Sequence, residues 1–168
     1  MILTYRKAAA DDLNAIETLI QNAVTHMRNH GIDQWDELYP TCEDFEQDIQ
    51  RNQLSVGISD GEIAVIYTLN KEYDEAYANG QWKAPEKPFC IVHRLCVHPK
   101  FQNRGIAGQT MIQIEKEAAS CKVQAIRLDV YSGNPRAVAL YRRCGYETVG
   151  TAQWRKGIFY LMEKYLEE

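Results

Sequence analysis

Along the chain the apolar residues switch repeatedly between a period of two and a period near 3.6, and this alternation points to an α/β fold. Residues 1–8 alternate as a first strand. Asp11 and Asp12 supply helix-start chemistry for a segment whose Leu13, Ile16, Leu19, Ile20, Ala23, Val24 and Met27 form one apolar stripe. Beyond a break at Gly31, Thr41-x-x-Asp44 is a capping-box start for a short helix holding Phe45 and Ile49. Leu54, Val56 and Ile58, then Ile63, Val65 and Tyr67, alternate on either side of Asp60-Gly61, the signature of a β-hairpin. A polar, turn-rich connection over residues 71–88 carries Tyr73, Tyr77 and Trp82 and leads to a strand from Phe89 to Val97. A turn from Pro99 to Arg104 follows, then a helix from Gly105 to Ser120 with Met111, Ile112, Ile114 and Ala118 directed inward. A strand from Ala125 to Tyr131, a turn at Ser132-Gly133-Asn134-Pro135, a helix from Arg136 to Arg143 and a hairpin around Lys156-Gly157 complete the order β-α-α-β-β-β-α-β-α-β-β.

The 168 residues, 45% hydrophobic and 25% charged, suit a single domain over residues 1–168 with its own core. A net charge of −4 provides no basic field for a phosphate backbone, which argues against nucleic acid as the main partner. No run approaches a membrane span and the first residues do not read as a signal peptide, so the expected setting is cytoplasmic, away from membranes. Five widely spaced cysteines (Cys42, Cys90, Cys96, Cys121, Cys144) contain no C-x-x-C pair, so no metal is expected and the thiols read as mostly buried.

The chemistry concentrates in Leu95-Cys96-Val97-His98-Pro99-Lys100-Phe101-Gln102-Asn103-Arg104-Gly105-Ile106-Ala107-Gly108. An apolar strand, a proline-marked turn and a helix opening on small residues make a place for an anion. The first helical N–H groups carry the positive end of the macrodipole, and Gly105, Ala107 and Gly108 allow close approach to the backbone. Arg104 and Lys100 add charge. On spacing alone an ordinary strand-to-helix turn explains the glycines equally well. The pattern is neither a P-loop nor a G-x-G-x-x-G dinucleotide turn.

Gln102-Asn103-Arg104-Gly105-Ile106-Ala107 resembles the [QR]-x-x-G-x-[GA] acyl-CoA pyrophosphate loop of the GNAT superfamily of N-acetyltransferases, and Val97-His98-Pro99 is similar to the V-x-P turn that ends that family's fourth strand. Downstream, the segment from Asn134 to Tyr146 resembles the family's N-x-x-A-x-x-L-Y-x-x-x-G-[FY] signature. The resemblance implies a mixed central sheet of about seven strands flanked by about four helices, with the fourth and fifth strands splayed. It also implies an enzyme that transfers an acetyl group from acetyl-CoA to a primary amine by direct attack. Acetyl-CoA is then a cosubstrate. The backbone of Leu95, Cys96 and Val97 would hold the pantetheine arm, and residues 102–108 the pyrophosphate.

By the same resemblance, Tyr141 falls where the family places a hydroxyl near the thioester sulfur, which assigns it as general acid and as a coenzyme contact; helix packing is its other reading. Asn134 is implied at the coenzyme, or caps the helix that begins at Pro135. Many members carry a glutamate base on the fourth strand. This strand has no carboxylate, so His93 is the first candidate, with Glu72, Asp74 and Glu75 as alternatives acting through water.

Between Asn29 and Gln50 there is no Lys or Arg, while Asp33, Asp36, Glu37, Glu43, Asp44, Glu46 and Asp48 are acidic. In the family this region forms one wall of the acceptor site. There, negative charge would attract a small cationic amine and Trp35 and Tyr39 would stack on it beside Asp36; a solvated acidic face with the two aromatics anchoring the loop is the equal alternative. Glu72, Tyr73, Tyr77 and Trp82 would form the opposite wall. Other readings of the whole are a protein or peptide N-acetyltransferase and a non-catalytic acyl-CoA-binding regulatory module. A homodimer fits the fold type without being fixed by any residue.

Overall fold

The strand from Leu54 to Ser59 turns back on the strand from Glu62 to Asn70 through Asp60 and Gly61, both at positive φ (53° and 77°), as a two-residue hairpin of right-handed strands requires. This hairpin is part of a computed structural model that describes residues 2–83 and 85–166. In chain order the strands are β1 (Thr4–Lys7), β2 (Leu54–Ser59), β3 (Glu62–Asn70), β4 (Phe89–Val97), β5 (Ala125–Tyr131), β6 (Glu147–Trp154) and β7 (Gly157–Tyr165). The helices are α1 (Leu13–Asn29), α2 (Cys42–Gln50), α3 (Ile106–Ser120) and α4 (Pro135–Arg143). The seven strands form one mixed sheet in the order β1-β2-β3-β4-β5-β7-β6.

The chain divides into two compact units, the first running to Leu69 and including Arg94–Thr110, the second comprising Asn70–His93 and the chain from Met111 onward. In the first unit, β1, β2 and β3 pair antiparallel. Ile16, Leu19, Ile20 and Ala23, the inner stripe of α1, are buried with Trp35, Phe45, Leu54, Val56, Ile66 and Cys96. Thr41 and Asp44 form the expected capping box: Thr41 N donates to Asp44 Oδ2 at 2.7 Å and Asp44 N to Thr41 Oγ1 at 3.3 Å.

In the second unit β4 runs parallel to β5, but their paired rungs are only Phe89↔Ala125, Cys90↔Ile126 and Ile91↔Arg127, while β5 continues to Tyr131. The ladder between them therefore ends at the Ile91 rung. β7 pairs antiparallel with both β5 and β6. Tyr77, Ile91, Ala152 and Leu161 are buried together, with Trp82, Phe89 and Trp154 packed against them. The Arg127 guanidinium lies 4.6 Å from the Trp82 ring centre and 4.1 Å from that of Phe89, and its Nε donates to Glu163 Oε2 at 3.2 Å. The connection is thus a strap anchored through Tyr77 and Trp82 and containing a short 3-10 turn, Glu75–Asn79.

Some expectations need correction. Ile112 is 55% exposed and points away from the core, because Met111 and Ile114 already occupy the inner stripe of α3. Only Cys90 and Cys96 of the five cysteines are buried; Cys42 and Cys121 are exposed, since each sits at a helix end. β1 begins at Thr4, and Met1 lies outside the described residues.

Candidate active site

In the first unit, Phe101 and Ile106 are buried with Ala64 and Val65, and Leu95 and Val97 pack against the same cluster, so the turn between β4 and α3 is pinned by its apolar residues. Cys96, on the opposite face of β4, belongs to the other cluster. His98 N donates to the Ala64 carbonyl at 2.8 Å and fixes the end of β4. Between the pinned residues the backbone is open: Gln102 is half-buried, and Asn103, Arg104 and Gly105 are exposed. Asn103 (φ 63°) and Gly105 (φ 73°) take left-handed backbone on either side of Arg104, an alternation that gathers amides into an anion-binding concavity. A Cβ placed at Gly105 or Gly108 meets no atom within 4 Å, so the space in front of both is open. No acidic side chain occupies the first turn of α3. The arrangement suits a bulky anion such as a pyrophosphate bound through backbone N–H groups.

Of the two cations at this turn, Lys100 pairs with Glu62 at 2.6 Å, while the exposed Arg104 guanidinium lies 5.6 Å from the Phe101 ring centre. Arg104 is the better placed to meet a phosphate.

Just before Leu95, Arg94 adopts φ 52°, a conformation that an L residue holds only when its surroundings enforce it. Its Nε and Nη2 donate to Asp48 Oδ2 and Oδ1 at 2.7 and 2.8 Å, its Nη1 donates to the Tyr39 hydroxyl at 2.9 Å, and Thr68 Oγ1 donates to Asp48 Oδ2 at 2.9 Å. Burial works against the Arg94 charge, yet Tyr39 and Asp48 hold it firmly protonated. Sequence reasoning named Asp48 only as part of the acidic segment and missed Arg94 and the pairing between them. The signal lay in α2, where Phe45, Asp48 and Ile49 share one face: an acidic residue on the apolar stripe of a helix needs a buried partner.

The other expected wall residues divide. Trp35 is buried in the core of the first unit, which leaves its ring engaged in packing. Asp36 Oδ1 accepts from Leu38 N at 3.0 Å, and Tyr39 is 40% exposed. The structure brings Tyr39 to Arg94 and Asp48, but Trp35 is not part of that network.

In the second unit, Glu72 is exposed and its carbonyl accepts from His93 Nε2 at 3.0 Å. Tyr73, 61% exposed, stacks on Tyr77 with ring centres 6.0 Å apart and tilts against Phe89. Tyr77 is a core residue and Trp82 packs partly buried against it: the Tyr77 hydroxyl donates to Asp129 Oδ2 at 2.7 Å and Trp82 Nε1 donates to the Tyr77 carbonyl. Asp74 caps the 3-10 turn through Ala76 N and accepts from Trp154 Nε1, and Glu75 is exposed in that turn. Asn134 Oδ1 caps α4 by accepting from Ala137 N at 3.2 Å. Tyr141, 9% exposed, lies edge-on to Tyr146 with ring centres 6.0 Å apart. Burial pushes the Cys90 and Cys96 thiols up to about 12, which removes them as nucleophiles at neutral pH. No group of three or more His, Cys, Asp or Glu suited to a metal occurs among the described residues, and no described helix is long and apolar enough to cross a membrane.

The model of the acetyltransferase (GNAT) family matches residues 24–146, a span that includes both the open loop and Tyr141. The chain belongs to the GNAT acetyltransferase family. It is 24% identical over 145 residues to the uncharacterized N-acetyltransferase YesJ of Bacillus subtilis, covering 85% of this chain and 81% of that protein. A crystal structure of a GNAT-family acetyltransferase from Streptococcus agalactiae is similar with a TM-score of 0.86 and 26% identity, over 99% of this chain and 96% of that one. The PaiA N-acetyltransferase from Thermoplasma acidophilum, solved in complex with coenzyme A, shares the fold with a TM-score of 0.74 and 16% identity, over 99% of this chain and 100% of that one. The seven-stranded mixed sheet and four helices of the described residues are therefore those of a GNAT acetyltransferase, and the chain is an enzyme.

Proposed function

We propose that the chain acts as one N-acetyltransferase domain that moves the acetyl group of acetyl-CoA to the primary amine of a small cationic acceptor in the cytoplasm. The observation that carries the coenzyme part is the exposed turn at Asn103–Gly105, with left-handed φ on both sides of Arg104 and open space before Gly105 and Gly108. Backbone amides of residues 102–108 bind the pyrophosphate and Arg104 adds a cation. The PaiA relative, which was solved with coenzyme A, supports the same ligand here. The backbone of Leu95, Cys96 and Val97 holds the pantetheine arm as an added strand would.

Acetyl transfer then needs a neutral amine, a stabilised oxyanion and a protonated leaving thiol. Tyr141 gives its proton to the departing sulfur. Its half-polar ring suits a residue whose body packs while its hydroxyl meets substrate. Five free cysteines suit a reducing compartment. Exposed Glu43 and Glu46 support a cationic acceptor.

The test follows thiol release from acetyl-CoA with a panel of polyamines, amino acids, amino sugars and short peptides, repeated with Tyr141→Phe. Turnover of a small cationic amine supports the proposal. Turnover of peptides alone moves the enzyme to protein acetylation, and tight acetyl-CoA binding with no turnover of any amine points to a regulatory module. Tyr141→Phe should bind acetyl-CoA as the wild type does and lose about 100-fold in kcat.

A further inference from the structure

Beneath the strap of the second unit lies a group of polar side chains that coenzyme binding does not use. The last rung of the parallel β4–β5 ladder is Ile91↔Arg127. Two residues further along each strand stand His93 and Asp129, on the same face of the sheet as that rung because side chains alternate with period two. Both are half-buried, just past the last paired rung. Tyr77, 4% exposed and rooted in the core, donates its hydroxyl proton to Asp129 Oδ2 at 2.7 Å. This bond fixes one oxygen of the carboxylate and favours its charged form. The His93 ring is oriented too: a carbonyl only accepts, so Nε2 donates to Glu72 and the neutral ring carries its lone pair on Nδ1. Tyr73, stacked on Tyr77 and mostly exposed, adds an aromatic shelf.

A held carboxylate, an oriented imidazole and an aromatic ring on one face form a receptor for a primary ammonium. β4 has no carboxylate of its own. We infer that Asp129, held by Tyr77, is the carboxylate that binds the acceptor ammonium and takes its first proton. This rests on the proposed amine acceptor and names its proton acceptor. In the step, R–NH3+ gives one proton to the Asp129 carboxylate and the freed nitrogen lone pair forms a C–N bond to the acetyl carbon. The carbonyl π pair moves to oxygen and returns as the C–S bond breaks. The nitrogen's second proton is lost, the leaving thiolate is protonated, and the Asp129 carboxyl proton passes to water. The net products are the N-acetyl amine, coenzyme A thiol and one proton.

Other titratable groups share or flank this face. Arg127 on β5 pairs with Glu163 on β7, Asp74 of the strap caps a turn, and His93 on β4 and Tyr131 on β5 are neighbours of Asp129 along the two strands.

The experiment measures kcat/KM against pH for the amine turned over fastest in the panel, with wild type, Asp129→Asn, Tyr77→Phe and His93→Gln, together with calorimetry of acetyl-CoA and thermal melts of each. Asp129→Asn should bind acetyl-CoA as the wild type does and lose about 100-fold or more in kcat/KM. Tyr77→Phe keeps the carboxylate and removes the bond that favours its charge, so turnover persists and the acidic limb of the profile moves to higher pH. That shift is readable even if Asp129→Asn fails to fold. Equal melting losses in both variants with unchanged pH profiles would reduce Asp129 to a structural role and overturn the inference. So would loss of the acidic limb in His93→Gln but not in Asp129→Asn. A wild type that binds acetyl-CoA and turns over no amine would instead overturn the acceptor reading, and this inference with it.

Discussion

The loop over residues 102–108 and the acidic segment over residues 33–48 both belong to the first unit, and they use sequence in opposite ways. The loop offers open backbone more than side chains, with free space before Gly105 and Gly108. The acidic segment is full of charged side chains, most of which are engaged with the protein itself. Asp48 is buried against Arg94, Asp44 closes a capping box, Asp36 caps Leu38 and Glu37 lies 3.9 Å from Arg28. A run of like charge in sequence therefore measures poorly the charge left facing solvent, whereas the small residues at 105 and 108 do mark open backbone.

Breaking this comparison is most drastic at Asp48. Asp48→Ala strands the buried Arg94 guanidinium and should cost about 3–5 kcal/mol of stability in denaturant unfolding. A loss below about 1 kcal/mol would mean that Asp48 is a surface charge after all and that the segment's acidity faces outward. Next in size, Gly105→Ala forces a side chain into left-handed backbone and sets a methyl group at the mouth of the amides. Acetyl-CoA affinity should fall about tenfold, with a local strain of about 1–2 kcal/mol. Arg104→Ala should weaken acetyl-CoA only several-fold, and the difference should shrink with added salt, since an exposed cation is screened.

The gentlest probe reads the acidic segment from within. Cys42 opens α2, fully exposed, yet its thiol is pushed up to about 12, first by a side-chain hydrogen bond with Glu17 and further by the nearby Glu46 charge. It should react slowly with a thiol reagent at pH 8.5, and Glu17→Gln should speed it several-fold. In the core of the same unit, Cys96 makes the matching pH prediction. Its folded thiol titrates at about 12 instead of the ordinary 9, so the folded state holds more protons between these values. Stability should fall as pH rises from about 9 toward 12, and Cys96→Ala should flatten that decline.

Much of the fold was legible because local rules and tertiary structure agree. Asp60-Gly61 makes the hairpin, Thr41 and Asp44 cap α2, and Asn134 caps α4. β4 and β5 have the bounds their apolar runs suggest. The open turn at Asn103–Gly105 was legible because its glycine and small residues stand consecutively in the chain. What stayed hidden depends on partners distant in sequence. Asp48 and Arg94 are 46 residues apart and Tyr77 and Asp129 are 52 apart, and no periodicity announces either pair. Their trace in sequence is a charge where an apolar residue belongs, as at Asp48 on the stripe of α2 and at Asp129 within the apolar run of β5. Trp35 lies on the anchoring side of its two readings, because its ring fills the core of the first unit, which the local sequence does not display.

The most direct test of the central claim compares coenzyme A with pantetheine, which lacks the pyrophosphate and the nucleotide, by calorimetry on the full chain. If open amides at residues 102–108 hold the pyrophosphate, coenzyme A binds about tenfold tighter or better and its advantage declines with salt. Equal affinity for the two ligands would contradict the account, because the open backbone before Gly105 and Gly108 would then hold nothing.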